Sequence, residues 1–370
     1  MKYKVVIFRS NPIDPDPRVE KIAFALSKDY QVHVVGWDRT GSLPSRRELP
    51  YFSLELFSFA APFGSGKKNF LRLLVWQTFL ALWVIRHGRS VRFIHACDFD
   101  TVIPALLGKW LFGCKVVYDI FDFYADHIRN TPGWLRRILR WFDYQAIKLV
   151  DTLVLVTEAQ LDQIKGAKPK KIIIVYNTPI DRPDLKPVER DPSVSLRIAY
   201  IGLIQVERGF EDIFKVIRRH PDWRLDLAGF GGDENTVVAQ ALQLPNVTWH
   251  RRIAYDKTLQ ISANADVLFS ICDPAIYHYA SPNKVYEAMM LRKPILVARG
   301  TYMDRIVEQH RCGLVIDYGD VNAIEAAFLA LEQDPVKRRE LGENGRRAYE
   351  QYFHWDIMEE RLRSAYRALG

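Results

Sequence analysis

The sequence predicts an α/β protein of two domains, each built on a doubly wound parallel sheet, and three observations carry that prediction. A length of 370 residues suits two domains. Strand, helix and strand follow one another within the first 36 residues, making a βαβ opening. The same alternation restarts at Leu196, after a stretch from Thr178 to Ser195 rich in proline and charge. The domains therefore run over residues 1–177 and 196–352, with 178–195 as linker and 353–370 as a C-terminal tail.

Composition bounds the partners. The chain is 48% apolar and 26% charged, as expected of a soluble globular protein with sizeable cores. A formal charge of +8 and a pI near 9.2 favour anions: nucleotides, nucleic acid or acidic lipid. No nucleic-acid module signature is present, which argues against the second. Cys97, Cys114, Cys272 and Cys312 are widely spaced and form no C-x-x-C, pointing to a reducing, cytoplasmic compartment rather than a zinc site or disulfide framework. The N-terminal apolar run, Val5 to Phe8, is too short for a signal peptide and reads as a first strand.

In the first domain, strand Lys4–Phe8 is followed by a loop to Asp16, a helix over 17–28 and a strand over 31–36. A dinucleotide site would place G-x-G-x-x-G in that loop, and it is absent. Residues 56–97 contain no Asp or Glu, but hold Lys67, Lys68, Arg72, Arg86, Arg89 and Arg92. The apolar run from Leu73 to Ile85 falls short of the ~20 residues of a membrane span. It reads either as a buried helix or as one lying in a membrane surface. Gly133–Leu149 is a second basic and aromatic segment, with Trp134, Trp141 and Phe142 among Arg136, Arg137 and Arg140. Between these segments, strands at 93–98 and 115–120 end in polar groups. Sites in open parallel sheets lie at the carboxyl ends of strands, so His95, Asp98, Asp119 and Asp122 are cleft candidates. Asp119 and Asp122 also read as a glycosidase pair, which spacing alone does not decide. Strands at 151–157 and 172–176 complete the domain.

In the second domain, strand 196–201 leads into Gly202-Leu-Ile-Gln-Val-Glu-Arg-Gly209 and a helix over 210–219. Strand 224–228 ends at Gly229-Phe-Gly-Gly-Asp233, and strands at 247–250 and 267–272 follow. The run Ser281-Pro-Asn-Lys-Val-Tyr-Glu287 then reads as a helix start, with Ser281 as N-cap and Pro282 first in the helix. Its early N–H groups and Lys284 form an anion cradle, and Glu287 lies on the same face one turn deeper. That pattern suits a nucleoside diphosphate, with the carboxylate on the ribose hydroxyls. A strand at 313–316 and a helix over 321–333 close the order.

The run from Ser281 through Ala298 resembles the donor segment of GT-B glycosyltransferases, especially family 4, with its helix start, Glu, Ala-Met-like pair, turn and Pro-Ile/Val-Val-Ala. The likeness extends over most of the chain, through Asp16-Pro-Arg18-Val, the 202–209 loop, the Gly229 turn, Asp266-Val267 and Phe353-His-Trp. It implies the GT-B architecture, two Rossmann-like domains facing a central cleft, with the tail crossing back to the first. It implies sugar transfer from a UDP- or GDP-linked donor, retention of configuration, and no metal or other cofactor. Donor-binding residues are then Gly202, Arg208, Gly229, Ser281, Pro282, Asn283, Lys284 and Glu287. Arg208 and Lys284 also act in catalysis, with Asp122 on the acceptor hydroxyl. Asp16 and Arg18 join His95, Asp98 and Asp119 as acceptor or cleft residues. The basic, aromatic first domain then suggests a lipid-linked or polysaccharide acceptor at the inner face of the cell membrane.

Three positions depart from the family pattern. Leu203 stands for an Arg, Phe121 for a His and Tyr279 for a first Glu. Those losses leave open an inactive GT-B partner subunit, and the shared two-lobed architecture leaves open a nucleotide-sugar epimerase.

Overall fold

The computed structural model describes residues 4–13, 16–61, 70–127, 132–188, 191–279 and 281–370. The chain divides into two compact units. One holds Met1–Tyr176 with Met358–Gly370, the other Asn177–Ile357.

The first unit follows the order β1 (Lys4–Arg9), α1 (Pro17–Ser27), β2 (Gln31–Asp38), β3 (Arg46–Glu48), β4 (Ser53–Ser58), α2 (Phe70–His87), β5 (Phe93–Cys97), α3 (Phe99–Phe112), β6 (Lys115–Ile120), α4 (Tyr124–His127), α5 (Gly133–Leu149), β7 (Thr152–Leu155), α6 (Gln160–Gln163) and β8 (Ile172–Ile174). The sheet runs β3-β4-β2-β1-β5-β6-β7-β8, parallel except for β3 at its edge. Its inner strands are short Val- and Ile-rich runs, buried on both faces as crossover helices require. Strand order reverses direction between β1 and β5, so a ligand site is expected beyond their carboxyl ends. Asp16 caps α1 there, accepting from the Val19 N–H at 3.2 Å, with Pro17 in the first turn.

Right-handed crossovers advancing from β4 to β7 place α2, α3 and α5 on one face of this sheet. α3 packs against both of the others. The inward side of α2 buries Trp76, Leu80, Trp83 and Val84, while Leu71, Leu74, Val75, Leu82 and Ile85 stand exposed. The helix is thus apolar on both sides, so neither of the two sequence readings describes it fully. Lys67 and Lys68 lie outside the described residues. Among the described residues no helix is long and apolar enough to cross a membrane.

The second unit follows β9 (Leu196–Leu203), α7 (Phe210–Arg219), β10 (Trp223–Phe230), α8 (Glu234–Ala241), β11 (Val247–Trp249), α9 (Tyr255–Asn264), β12 (Val267–Ser270), α10 (Pro274–Tyr277), α11 (Asn283–Met290), β13 (Ile295–Ala298), α12 (Met303–His310), β14 (Gly313–Ile316), α13 (Val321–Gln333) and α14 (Pro335–Ala348). Its six parallel strands run β11-β10-β9-β12-β13-β14, with the reversal between β9 and β12. The final helix, α15 (Trp355–Arg367), passes from the second unit into the first. Its last turns are fixed there by Tyr366, against Tyr30 and Phe93, and by a two-pronged Arg363–Asp29 pair at 2.7 and 2.9 Å.

Candidate functional site

In the second unit, β9 and β10 end side by side with Gly202 paired to Gly229. Both take positive φ, near 149° and 148°. A Cβ on Gly229 would stand 1.8 Å from the Gly202 carbonyl oxygen, so only glycine lets the strand ends close up. A Cβ on Gly202 would stand 2.6 Å from the Lys284 ammonium. The missing side chain is therefore the space the cation occupies. Lys284 sits over the Tyr200 ring at 4.3 Å, and the Tyr200 hydroxyl donates to the Leu203 carbonyl at 2.7 Å.

Arg208 ends a short 3-10 turn and precedes Gly209, whose left-handed backbone starts α7. Its guanidinium is buried, 4.1 Å over the Tyr277 ring, and Nη1 donates to Cys272 Sγ at 3.0 Å. Nε has no hydrogen-bond partner among the described residues. Neither Arg208 nor Lys284 forms an ion pair among those residues. Burial and the neighbouring Arg208 charge push Lys284 down to about 8. Two cations that feel each other's charge, with no ion-pair partner among the described residues, are a costly arrangement unless an anion joins them.

α11 supplies the rest. Pro282, not Ser281, is the cap residue, and the helix begins at Asn283, one residue later than the sequence pattern placed it. Proline has no side-chain acceptor with which to cap the helix, and the Ser281 hydroxyl lies instead 3.4 Å from that of Tyr286. No side chain among the described residues caps the start; the Val285 N–H bonds the Pro282 carbonyl at 3.3 Å, and the N–H groups of Asn283 and Lys284 remain for a ligand. Glu287 is buried one turn on and accepts from the Tyr255 hydroxyl at 2.8 Å. Burial and that carboxylate push the Tyr255 phenol far up, keeping it a donor. The structure thus gathers Gly202, Gly229, Arg208, Lys284 and Glu287, with Asn283 at the helix start. Sequence reading missed Tyr200, Tyr255 and Tyr277. Tyr200 was within reach, since it lies two residues before Gly202 near the end of β9. Tyr255 belongs to a different helix and carries no local signal.

The carboxyl ends of the first unit's sheet are arranged differently. Arg18 grips Asp119 at 2.8 and 3.1 Å and donates to the Val175 carbonyl at 2.9 Å. His95 Nδ1 meets the Tyr366 hydroxyl at 2.8 Å, and Nε2 lies 3.4 Å from Asp119. Burial alone would raise the Asp119 carboxyl, but Arg18 and His95 hold it below its usual range. Arg18, His95 and Asp119, expected as acceptor or cleft residues, are buried and bonded to one another.

Above them Arg9 pairs with Asp98 and, at 3.0 Å, with Asp16, which also accepts from Asn11 at 2.7 Å. Arg9, the last residue of β1, was missed although the strand-end rule points to it. Asp98 has a positive φ of 67°, a strained setting for a residue other than glycine, and takes the Phe121 N–H at 2.9 Å. Burial, opposed by Arg9 and helped by Asp122, raises its carboxyl to about 7. Phe121, in the family's His position, lies flat under Arg9 at 4.1 Å and Arg18 at 4.9 Å. Asp122 is exposed beside this cluster.

Residues 181–348 match the family described as glycosyl transferases group 1, and residues 15–178 match the glycosyl transferase 4-like domain. A GDP-mannose-dependent monoacylated alpha-(1-6)-phosphatidylinositol monomannoside mannosyltransferase of Corynebacterium glutamicum is 27% identical over 163 residues, 40% of this chain and 40% of that protein. The aligned segment thus spans about two fifths of that relative's length. Among solved structures, sucrose-phosphate synthase of Thermosynechococcus elongatus superimposes over 100% of this chain and 99% of its own, with a TM-score of 0.80 and 15% identity. The Anabaena HepE protein in complex with UDP and glucose covers 99% and 100%, with a TM-score of 0.73 and 14% identity. These two likenesses are of fold.

Proposed function

The chain belongs to the group 1, family 4-like glycosyltransferases of GT-B architecture, and we propose that it moves a sugar from a UDP- or GDP-linked donor onto a lipid-linked or polysaccharide acceptor in envelope glycan assembly. The observation that carries this reading is the pair Arg208 and Lys284, two partly or fully buried cations with no ion-pair partner among the described residues, at the β9–β12 switch point. A diphosphate supplies the missing charge. In this reading it lies on the start of α11, against Gly202 and Gly229, with the ribose hydroxyls on Glu287. The HepE structure holds UDP, and the Corynebacterium relative is named for GDP-mannose, which supports both nucleotides as donors.

Bond breaking between sugar and diphosphate builds negative charge on the leaving oxygen. Arg208 and Lys284 stabilise it without reorganising, since they are already held by Cys272, Tyr277 and Tyr200. No metal is required for that step. Acceptor binding falls to the first unit, where Asp122 orients the attacking hydroxyl at the β1–β5 end of the sheet. We assign retention of configuration on the family resemblance and a cytoplasmic setting on the widely spaced cysteines.

Thermal stability of the full chain with UDP, GDP, ADP and CMP tests the donor assignment. A nucleotide at one hundred times its dissociation constant adds about 2.7 kcal/mol. Stabilisation by UDP or GDP, absent from Glu287→Ala and Lys284→Ala, is the expected result. Stabilisation by none of the four would remove the donor reading.

A further inference from the structure

We propose that the outward face formed by α2, α3 and α5 docks on an anionic lipid bilayer, with the first half of α5 lying in the headgroup layer. This deepens the reading of a lipid-linked acceptor by naming the surface that brings the enzyme to it. α3 packs against both α2 and α5 on one face of the first unit's sheet, and all three helices expose large apolar residues. Leu71, Leu74, Leu82 and Ile85 come from α2, Trp110 and Leu111 from α3. α5 adds Trp134 at 63% exposed and Trp141 at 57%, values far from those of core tryptophans. Single exposed apolar residues are ordinary, but a contiguous band of them marks an interaction surface.

Charge identifies the occupant. α2 contains no acidic residue. The acids of α3 and α5, Asp100 and Asp143, are both buried, so the outward faces of all three helices carry none. Arg86, Arg136, Arg137 and Arg140 are exposed among the apolar side chains. Arg140 pairs with Asp126 at 2.5 Å, while Arg136 and Arg137 make no ion pair among the described residues. Tryptophans interleaved with arginines on a helix suit the boundary between headgroups and acyl chains, where rings sit at the interface and guanidinium groups meet lipid phosphate. A second copy of this chain would bring like charges together across the contact, which disfavours a dimer through this face.

Co-sedimentation of the full chain with vesicles tests the proposal. One set contains phosphatidylglycerol with phosphatidylcholine, the other phosphatidylcholine alone. The chain is expected to bind the first and largely ignore the second, losing binding as salt rises. Each arginine near an acidic surface changes partitioning by about fivefold, so Arg136→Ala with Arg137→Ala costs roughly 30-fold. Trp134→Ser with Trp141→Ser should abolish binding while leaving the melting temperature unchanged, because neither ring is in the core. Equal binding to both vesicle types, or variants that bind like the original, would overturn the proposal. So would a dimer in sedimentation velocity that the tryptophan substitutions dissociate. Vesicle binding needs no nucleotide, and nucleotide stabilisation needs no vesicle, so the docking and donor readings can fail separately.

Discussion

The two units carry the same sheet plan, and charge is handled in opposite ways at their switch points. In the first unit the cations near the β1–β5 reversal have carboxylates: Arg9 has Asp16 and Asp98, and Arg18 has Asp119. In the second, Arg208 and Lys284 are held by aromatic rings, a thiol and a glycine gap. A closed circuit of charges fixes a backbone. An open pair of cations waits for an anion. The fold permits both, and the residues at a few strand ends decide which unit becomes the phosphate site.

The contrast can be broken from either side. The largest expected effect lies in the closed circuit. Arg18→Ala leaves Asp119 buried without its main partner, which typically costs about 3–5 kcal/mol. Urea unfolding should show that loss, and a change under 1 kcal/mol would mean that the pair is not structural. In the open pair, Arg208→Ala should instead leave folding nearly intact and lower turnover by about 10²–10³-fold, the usual effect of losing one donor to a developing charge. Equal turnover in steady-state assays would remove Arg208 from the chemistry.

Protonation sharpens the same contrast. The Lys284 ammonium, lowered to about 8, loses its proton as pH rises through that value. Nucleotide affinity should therefore be full near pH 7 and fall roughly tenfold by pH 9. Lys284→Arg keeps its charge and should flatten the profile. A wild-type profile flat from pH 7 to 9 would contradict the assigned role. The smallest effect belongs to Tyr255→Phe. Losing one hydrogen bond to the Glu287 carboxylate should weaken nucleotide binding about tenfold, since bonds to charged groups are worth roughly 1.5 kcal/mol or more. Tighter binding in that variant would mean that the phenol competes with the ribose.

Much of this was legible in the sequence, for identifiable reasons. Buried strands and their crossover helices announce themselves by composition, and α7 and α13 fall on the residues the pattern marked. The edge hairpin of β3 and β4 was missed: Arg46–Glu48 is polar throughout, while the alternation over residues 53–57, with Leu54 and Leu56 inward, was a signal passed over. Lys284 was readable from a helix start, whereas Gly202 and Arg208 were marked through the resemblance to the family's loop. What could not be read was partnership. The sequence marks His95 and Asp119 as polar residues near strand ends, as it does Asp98, and Arg18 as a residue at a helix start. Only packing shows that Arg18, His95 and Asp119 are sealed together beneath Phe121 while Asp98 is held in a strained backbone above them. Tyr255 reaches Glu287 from a helix 32 residues earlier, a contact that no local spacing encodes.

The central claim is that the open cation pair holds a diphosphate. Titration calorimetry of the full chain with UDP and GDP, beside uridine and guanosine, addresses it most directly, with Arg208→Met and Lys284→Met as the comparison proteins. The account predicts that one diphosphate binds, that its parent nucleoside binds far more weakly, and that both variants lose most of the difference. Nucleoside and diphosphate binding alike, or variants that keep the wild-type preference, would contradict it.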